Sequence, residues 1–130
     1  MRARDSVFVS ATAPIWPDGH IDDDVAAQAR RCLEIIGEAL AQAGASLLDV
    51  VRTRVYLVDR GDGEAVGAVH AEVFGEIRPA SGFIVVSGFL DPRWRVEIEA
   101  DAMLAGFAAG AGGRERDRDT SPPPEGRDDR

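Results

Sequence analysis

Apolar residues recur at helical spacing in two stretches of the chain. In the first, residues three or four apart form one stripe about four turns long, made of Val25, Ala29, Leu33, Ile36 and Leu40. Aspartates at residues 22–24 supply capping carboxylates before this stripe, and Gly44 supplies a left-handed residue after it. The second stretch, residues 64–75, carries Val66, Val69, His70 and Val73 at the same spacing. The pattern therefore predicts two helices, and the single cysteine, Cys32, is expected beside the first stripe as a buried, inert thiol.

Runs of β-branched and aromatic residues predict strands around these helices. Residues 6–10 form a short strand, and the Pro-Asp-Gly turn at residues 17–19 predicts a hairpin that returns at residues 20–21. Residues 49–58 form a longer strand, with one face made of Val51, Thr53, Val55 and Leu57. Residues 83–86 are apolar throughout, which is typical of a fully buried strand.

The last strand, residues 94–104, alternates strictly between the two faces of the sheet. One of its faces carries a row of carboxylates roughly 6–7 Å apart along the strand, at Glu97, Glu99 and Asp101. Arg52 and Arg54, on the polar face of the longer strand, are the expected partners of these carboxylates. Two helices among four or five strands predict an α+β fold, in which a mixed β-sheet carries both helices on one face.

Composition divides the chain into a folded part and a tail. After Phe107 no large apolar residue remains, and residues 106–130 are rich in glycine, proline and charges of alternating sign. Such a segment buries too little surface to offset the entropy lost on ordering. We therefore expect one domain over residues 1–105, with 10 arginines against 17 acidic residues and hence a net charge of −7, and a flexible tail over residues 106–130.

Charge and residue usage exclude several classes of function. An acidic domain without a basic stripe does not suit nucleic acid, and a chain without lysine has neither a Schiff-base lysine nor a P-loop. No apolar run is long enough to span a membrane and no signal-peptide core follows the N-terminus, so we expect a cytoplasmic protein. One cysteine and two separated histidines, His20 and His70, do not predict a metal site. The expected partner is a small molecule.

Several blocks of the sequence resemble one known family. In chain order they are Val7-Phe8-Val9-Ser10, Ala43-Gly44-Ala45-Ser46, Asp49-Val50-Val51, Arg78-Pro79-Ala80 and Val96-Glu97-Ile98-Glu99-Ala100. Over residues 7–104 they resemble the Rid family, formerly called YjgF proteins or L-PSP endoribonucleases. The resemblance implies a chorismate-mutase-like α+β fold and a homotrimer with ligand clefts between adjacent subunits. It also implies hydrolysis of reactive imines or enamines to 2-keto acids and ammonia, with no metal or organic cofactor.

One departure from the family pattern bears directly on the substrate. The family's deaminases have an arginine directly after Pro-Ala, which binds the substrate carboxylate, and this chain has Ser81 there. A serine hydroxyl does not replace a bidentate guanidinium, so about 2–4 kcal/mol of substrate anchoring is lost unless another group compensates. Two arginines outside that position, Arg78 and Arg93, are candidates for such compensation.

The resemblance and the residue types together give a set of candidate site residues. Glu97 matches the family's acid and is the candidate catalytic residue, which would position the attacking water. The candidate substrate-binding residues are Ser81, Gly82, Phe83, Gly67 and His70. Ser81 is equally compatible with a plain turn residue and His70 with a helix-surface histidine. No histidine–acid pair is assigned beside Ser81, so a catalytic triad is not predicted.

Three functions follow as alternatives. The first is a Rid-type imine or enamine hydrolase whose substrate scope is altered because Ser81 replaces the carboxylate-binding arginine. The second is a non-catalytic trimeric module that binds a small metabolite. The third, ribonuclease activity, is disfavoured by the acidic domain.

Overall fold

The computed structural model describes residues 1–104, which form one sheet and two long helices. Its elements are β1 (Arg2–Ala3), β2 (Ser6–Thr12), α1 (Val25–Gln42), β3 (Val50–Leu57), α2 (Gly63–Phe74), β4 (Ala80–Val85) and β5 (Val96–Met103), with 3₁₀ turns at Leu47–Asp49 and Arg60–Asp62. The strand order is β1-β2-β5-β3-β4, in which β3 and β4 are parallel and the other pairs antiparallel. The predicted α+β architecture is therefore confirmed. The predicted tail, residues 106–130, lies outside the described residues.

Helix α1 follows the apolar stripe that predicts it. All five stripe residues, from Val25 to Leu40, are buried against the sheet and α2. Asp24 caps the helix by accepting a 3.0 Å hydrogen bond from the backbone N–H of Ala27. Gly44 adopts a φ of +81° just after the helix, a conformation that costs a glycine no steric clash.

None of the helices within residues 1–104 is long and apolar enough to cross a bilayer.

The predicted hairpin return at residues 20–21 is wrong. Strand β2 instead continues to Thr12 and pairs with β1 on one side and β5 on the other. The following turn packs against α1, where the guanidinium of Arg31 lies 4.1 Å from the ring centroid of Trp16. The indole N–H of Trp16 also donates a 2.9 Å hydrogen bond to Asp22. These contacts hold the turn beside the helix, so the residues after it form no strand.

The start of β3 contains a β-bulge that the alternation pattern does not predict. Val50 pairs with Ala102 and Arg52 with Asp101, so Val51 is an extra residue in the ladder. Val50 is consequently buried, whereas Val51, expected to share a face with Thr53, Val55 and Leu57, is 46% exposed. Beyond the bulge, Thr53, Val55 and Leu57 face the helices as predicted.

Strand β4 is also not the buried strand that its sequence predicts. It spans Ala80–Val85 instead of residues 83–86, and every one of its residues is exposed in the single chain. The reason is topological, since β4 is the edge strand and pairs only with β3 among the described strands. Its apolar residues Phe83, Ile84 and Val85 therefore form an exposed edge.

Strand β5 is central and alternates as predicted. Its helix-side residues Val96, Ile98, Ala100 and Ala102 are all buried. Glu97, Glu99 and Asp101 lie on the opposite face, here called the open face because no helix of residues 1–104 covers it.

Candidate functional site

Four of the five predicted substrate-binding residues meet where α2 crosses β4. Gly67 and His70 come from α2, and Ser81 and Phe83 from the helix-facing side of β4. The fifth, Gly82, alternates with them and belongs to the open face of the sheet. The structure thus assembles a groove, here called the α2–β4 groove, from residues far apart in sequence.

Thr53 links the two polar residues of this groove. The parallel register places Thr53 directly opposite Ser81, and their hydroxyl oxygens are 2.7 Å apart. Thr53 Oγ1 also lies 2.8 Å from Nε2 of His70, whereas Ser81 Oγ is 3.5 Å from that nitrogen. Ser81 can also donate to the carbonyl of Pro79, at 3.2 Å. The result is a hydrogen-bonded chain that runs from His70 through Thr53 to Ser81.

The importance of Thr53 is not evident from the sequence, which places it among core residues of β3. One signal is its residue type, since a hydroxyl on an otherwise apolar, buried strand face needs a partner. Thr53 is 1% exposed, and its partners are the two groove residues.

Aromatic rings form the apolar wall of the groove. The centroid of the His70 ring lies 4.8 Å from that of Phe74 and 5.6 Å from that of Phe83, the latter edge-on. Phe83 also lies over Gly67, where a Cβ would approach its ring edge to 3.6 Å. Burial against these groups lowers the pKa of His70, so the imidazole is neutral at pH 7 and its Nε2 can accept a hydrogen bond from Thr53.

Glu97 lies on the other side of the sheet from the α2–β4 groove. Its neighbours in β5, Val96 and Ile98, face the helices. Glu97 itself lies on the open face, opposite Tyr56 in the register of β3 and β5. Partial burial raises the pKa of the Glu97 carboxyl. Ser81 and Glu97 therefore do not face a common cleft within one chain.

The remaining open-face residues form a charged network beside Glu97. Tyr56 donates a 2.5 Å hydrogen bond to Glu99, and Arg54 pairs with Glu99 at 3.2 Å and with Asp101 at 3.7 Å. The expected pairing of Arg54 with the carboxylate row is thus present. Arg52 instead lines a depression of about 260 Å³ at the β3–β4 end of this face.

Neither of the two arginines considered as substitutes for the family's arginine forms a hydrogen bond with Ser81 within residues 1–104. Arg93 forms a bidentate pair with Asp91, at 2.7 and 3.1 Å, which raises the pKa of the arginine. Arg78 is exposed in the turn before β4 and has a φ of +53°, a strained conformation for a residue with a Cβ. The side-chain hydrogen bonds of Ser81 are with Thr53, His70 and Pro79.

Metal and thiol chemistry find no support in the described part of the chain. Within residues 1–104, no three histidine, cysteine or acidic side chains lie together as metal ligands would. Cys32 is buried, and burial raises its pKa to about 12, so the thiol is protonated and inert.

Comparison with known proteins agrees with this fold. The family model described as "Endoribonuclease L-PSP" matches residues 1–104. The 3-aminoacrylate deaminase RutC of Acinetobacter baylyi is 37% identical over 105 residues, which cover 79% of this chain and 82% of that protein. A RutC family protein of Pyrococcus abyssi is 42% identical over 98 residues, or 74% and 76% of the two chains.

Solved structures give the same result. Rv2704 of Mycobacterium tuberculosis, described as a member of the YjgF/YER057c/UK114 family, matches with a TM-score of 0.73 and 45% identity, covering 79% of this chain and 82% of that one. E. coli TdcF with bound serine matches with a TM-score of 0.74 and 29% identity, covering 79% and 84%. The resemblance found in the sequence is therefore confirmed, and the chain belongs to the Rid family, which includes YjgF and RutC and whose family model carries the name endoribonuclease L-PSP.

Proposed function

We propose that this protein hydrolyses imines or enamines and that its substrates lack the carboxylate anchor on which the family's deaminases depend. The observation that carries the proposal is the environment of Ser81. At the position after Pro-Ala, the chain has a neutral hydroxyl bonded to Thr53 and His70 instead of a guanidinium. The relative named 3-aminoacrylate deaminase supports the reaction class, and the altered position supports the change in scope.

The shape and charge of the groove favour a neutral or cationic substrate with an apolar side chain. The groove contacts described above are hydroxyls, a neutral imidazole and the rings of Phe74 and Phe83. A carboxylate placed against these groups would lose its hydration without gaining a cationic partner among them, which costs free energy. An iminium nitrogen, in contrast, can donate hydrogen bonds to hydroxyl oxygens.

A homotrimer would complete the site and is part of the proposal. The β4 edge exposes Phe83, Ile84 and Val85 together with backbone groups that no other strand of residues 1–104 pairs, a surface that soluble proteins normally cover. If the open face of a second copy covers this edge, Glu97 of that copy approaches the Ser81 side of the cleft. Glu97, with its raised pKa, would then position the attacking water from across the interface.

The test is turnover by the purified full chain of freshly generated imines, with and without a carboxylate, followed by ammonia release. We expect faster turnover of aromatic imines without a carboxylate than of 2-iminopropanoate. We expect Glu97→Gln to reduce kcat by about 10²-fold or more, as loss of an acid–base group does. Glu72→Gln is the matched control, because Glu72 is exposed on α2 and pairs only weakly with Arg30. A preference for 2-iminopropanoate, or unchanged activity of Glu97→Gln, would contradict the proposal.

A non-catalytic binding module is the second candidate. It is favoured by the fact that Ser81 and Glu97 lie on opposite sides of the sheet and do not face a common cleft within one chain. A small molecule that raises Tm without being consumed would support this function, since a ligand of the folded state stabilises it by mass action.

Ribonuclease activity, which the family name suggests, is not proposed. The domain's 10 arginines and 17 acidic residues give it a net charge of −7, and the arginines of the open face are paired with or adjacent to carboxylates.

A further inference from the structure

The chain of hydroxyls in the α2–β4 groove can carry hydrogen bonds in either direction. In one direction, Ser81 donates to Thr53 and Thr53 donates to Nε2 of His70. In the other, protonated Nε2 donates to Thr53, Thr53 donates to Ser81, and Ser81 donates to the carbonyl of Pro79. Both arrangements satisfy every hydroxyl proton, so switching between them leaves no buried donor without an acceptor.

We propose that Thr53 and Ser81 relay a proton between a substrate bound at the β4 edge and the imidazole of His70. Ser81 touches the substrate and the attacking water, whereas Thr53 and His70 are positioning residues that act through it. The choice of substrate rests on the proposed imine hydrolysis, but the relay itself is a property of these three side chains.

Thr53 is the necessary link because of the distances. Its oxygen is within 2.8 Å of both neighbours, whereas Ser81 Oγ and His70 Nε2 are 3.5 Å apart, at the limit of a hydrogen bond. Thr53 is also buried, so bulk water does not compete for its hydroxyl. Ser81, in contrast, is exposed at the outer end of the relay, where a substrate can reach it.

The surroundings of His70 allow it to accept and return a proton. Hydrogen bonds and ring contacts place four groups against the imidazole, namely Thr53 on β3, Ser81 and Phe83 on β4, and Phe74 on its own helix, and all four are uncharged. No carboxylate among these contacts holds the proton on the ring once it arrives. Burial alone accounts for the lowered pKa of the imidazole, which favours return of the proton.

The proposed step balances in atoms and electrons. Water attacks the carbon of a protonated imine, the C–O bond forms, and the C=N electron pair moves onto nitrogen. A water proton passes to Ser81 as the Ser81 proton moves to Thr53 and the Thr53 proton moves to His70. The same path returns the proton to the amine nitrogen, the C–N bond breaks, and the departing ammonia takes the remaining hydroxyl proton. The products are a carbonyl compound and ammonium, with no oxidation or reduction.

Thr53→Val and Thr53→Ser provide the test, because valine keeps the shape of threonine without its hydroxyl and serine keeps the hydroxyl. We expect Thr53→Val to lower kcat by about 10²-fold or more. In the wild type, kcat/KM should fall at low pH as His70 becomes protonated and can no longer accept a proton. Thr53→Val should abolish this fall, because it disconnects His70 from the substrate. Thr53→Ser is expected to retain activity within a few fold and to keep the fall at low pH. Equal losses in the two variants would show that Thr53 only supports packing and would overturn the relay.

Nuclear magnetic resonance of the His70 side-chain nitrogens gives a readout that needs no turnover. In the wild type and in Thr53→Ser, Nε2 is expected to show the chemical shift of a hydrogen-bonded acceptor. Thr53→Val should change this shift. All three proteins should unfold at a similar Tm. His20→Gln removes the other histidine and assigns the signal. Identical His70 signals in all variants would overturn the relay. If the wild type turns over no imine but the nitrogen shift responds to Thr53→Val alone, the relay stands and the proposed function fails.

Discussion

Arg95 and Asp62 join the start of the last strand to the start of α2, with Nη2 of the arginine 2.7 Å from Oδ1 of the aspartate. Asp62 is largely buried, and its second oxygen, Oδ2, has no hydrogen-bond partner among the described residues. Arg95 is therefore the group that compensates the buried charge.

Replacing that arginine should leave the carboxylate buried without its cation. We expect Arg95→Met to lower the free energy of unfolding by about 2–3 kcal/mol, measured by urea denaturation. Arg30→Met is the control, because the Arg30–Glu72 pair is exposed at both ends and is worth about 0–1 kcal/mol. Equal effects of the two substitutions would contradict the role given to Arg95.

Burial of His70 makes stability depend on pH. The unfolded chain protonates this residue near the ordinary value of 6.5, whereas the folded chain does so at lower pH because its pKa is lowered. The unfolded state therefore binds more protons as pH falls below about 6.5, and stability falls with it. Above 6.5 the contribution is constant.

The measurement is Tm as a function of pH in wild type and His70→Gln. We expect the variant to lose less stability than wild type between neutral pH and the folded-state pKa of His70. His20→Gln, at the exposed histidine, should retain the wild-type loss. A steeper fall in His70→Gln would show the opposite sign of linkage.

The single tyrosine of the chain reports on the open face. Tyr56 donates to Glu99, and because ionisation would break this bond beside a carboxylate, the pKa of the phenol is raised above its usual 10. Glu99→Gln removes the carboxylate charge, so we expect the phenol to titrate at lower pH in that variant. Ultraviolet absorbance of tyrosinate measures both curves, with Asp101→Asn as the control. Coincident curves for wild type and Glu99→Gln would refute the contact.

The single cysteine should be unreactive in the folded protein. Cys32 is buried on α1 and its sulfur contacts the carbonyl of Thr12 at 3.2 Å, while its pKa is raised to about 12. We expect a disulfide reagent at pH 8 to modify it only as fast as the protein opens, and at once in denaturant. Rapid labelling of the native protein would show that the α1–sheet interface is open.

Local patterns in the sequence predict α1 and β5 well. The period of each element matches the face it buries, since the Val25–Leu40 stripe has helical spacing and the residues from Val96 to Ala102 alternate. Such periodicities depend only on residues close together in sequence. They can therefore be recognised without knowing which strand or helix the element packs against. Family membership is visible in the same blocks of sequence.

Pairing between distant strands explains the wrong predictions. A bulge exposes Val51, an edge position exposes β4, and contacts between Trp16 and α1 replace the expected hairpin return. None of these features can be recognised from a strand's own residues, because each depends on which strand or helix lies beside it.

The candidate site shows most clearly which features follow from residue identity and which require the tertiary structure. Residue identity alone gives the expectation that Ser81 stands where the family's deaminases have an arginine, and the proposed change in substrate scope rests on that expectation. That Thr53 and His70 stand behind this serine, and that Glu97 faces away from it, follows from the parallel β3–β4 register and from the crossing of α2 over β4. Side-chain chemistry is a property of each residue, whereas the distances that join residues into a site arise when remote segments pack together.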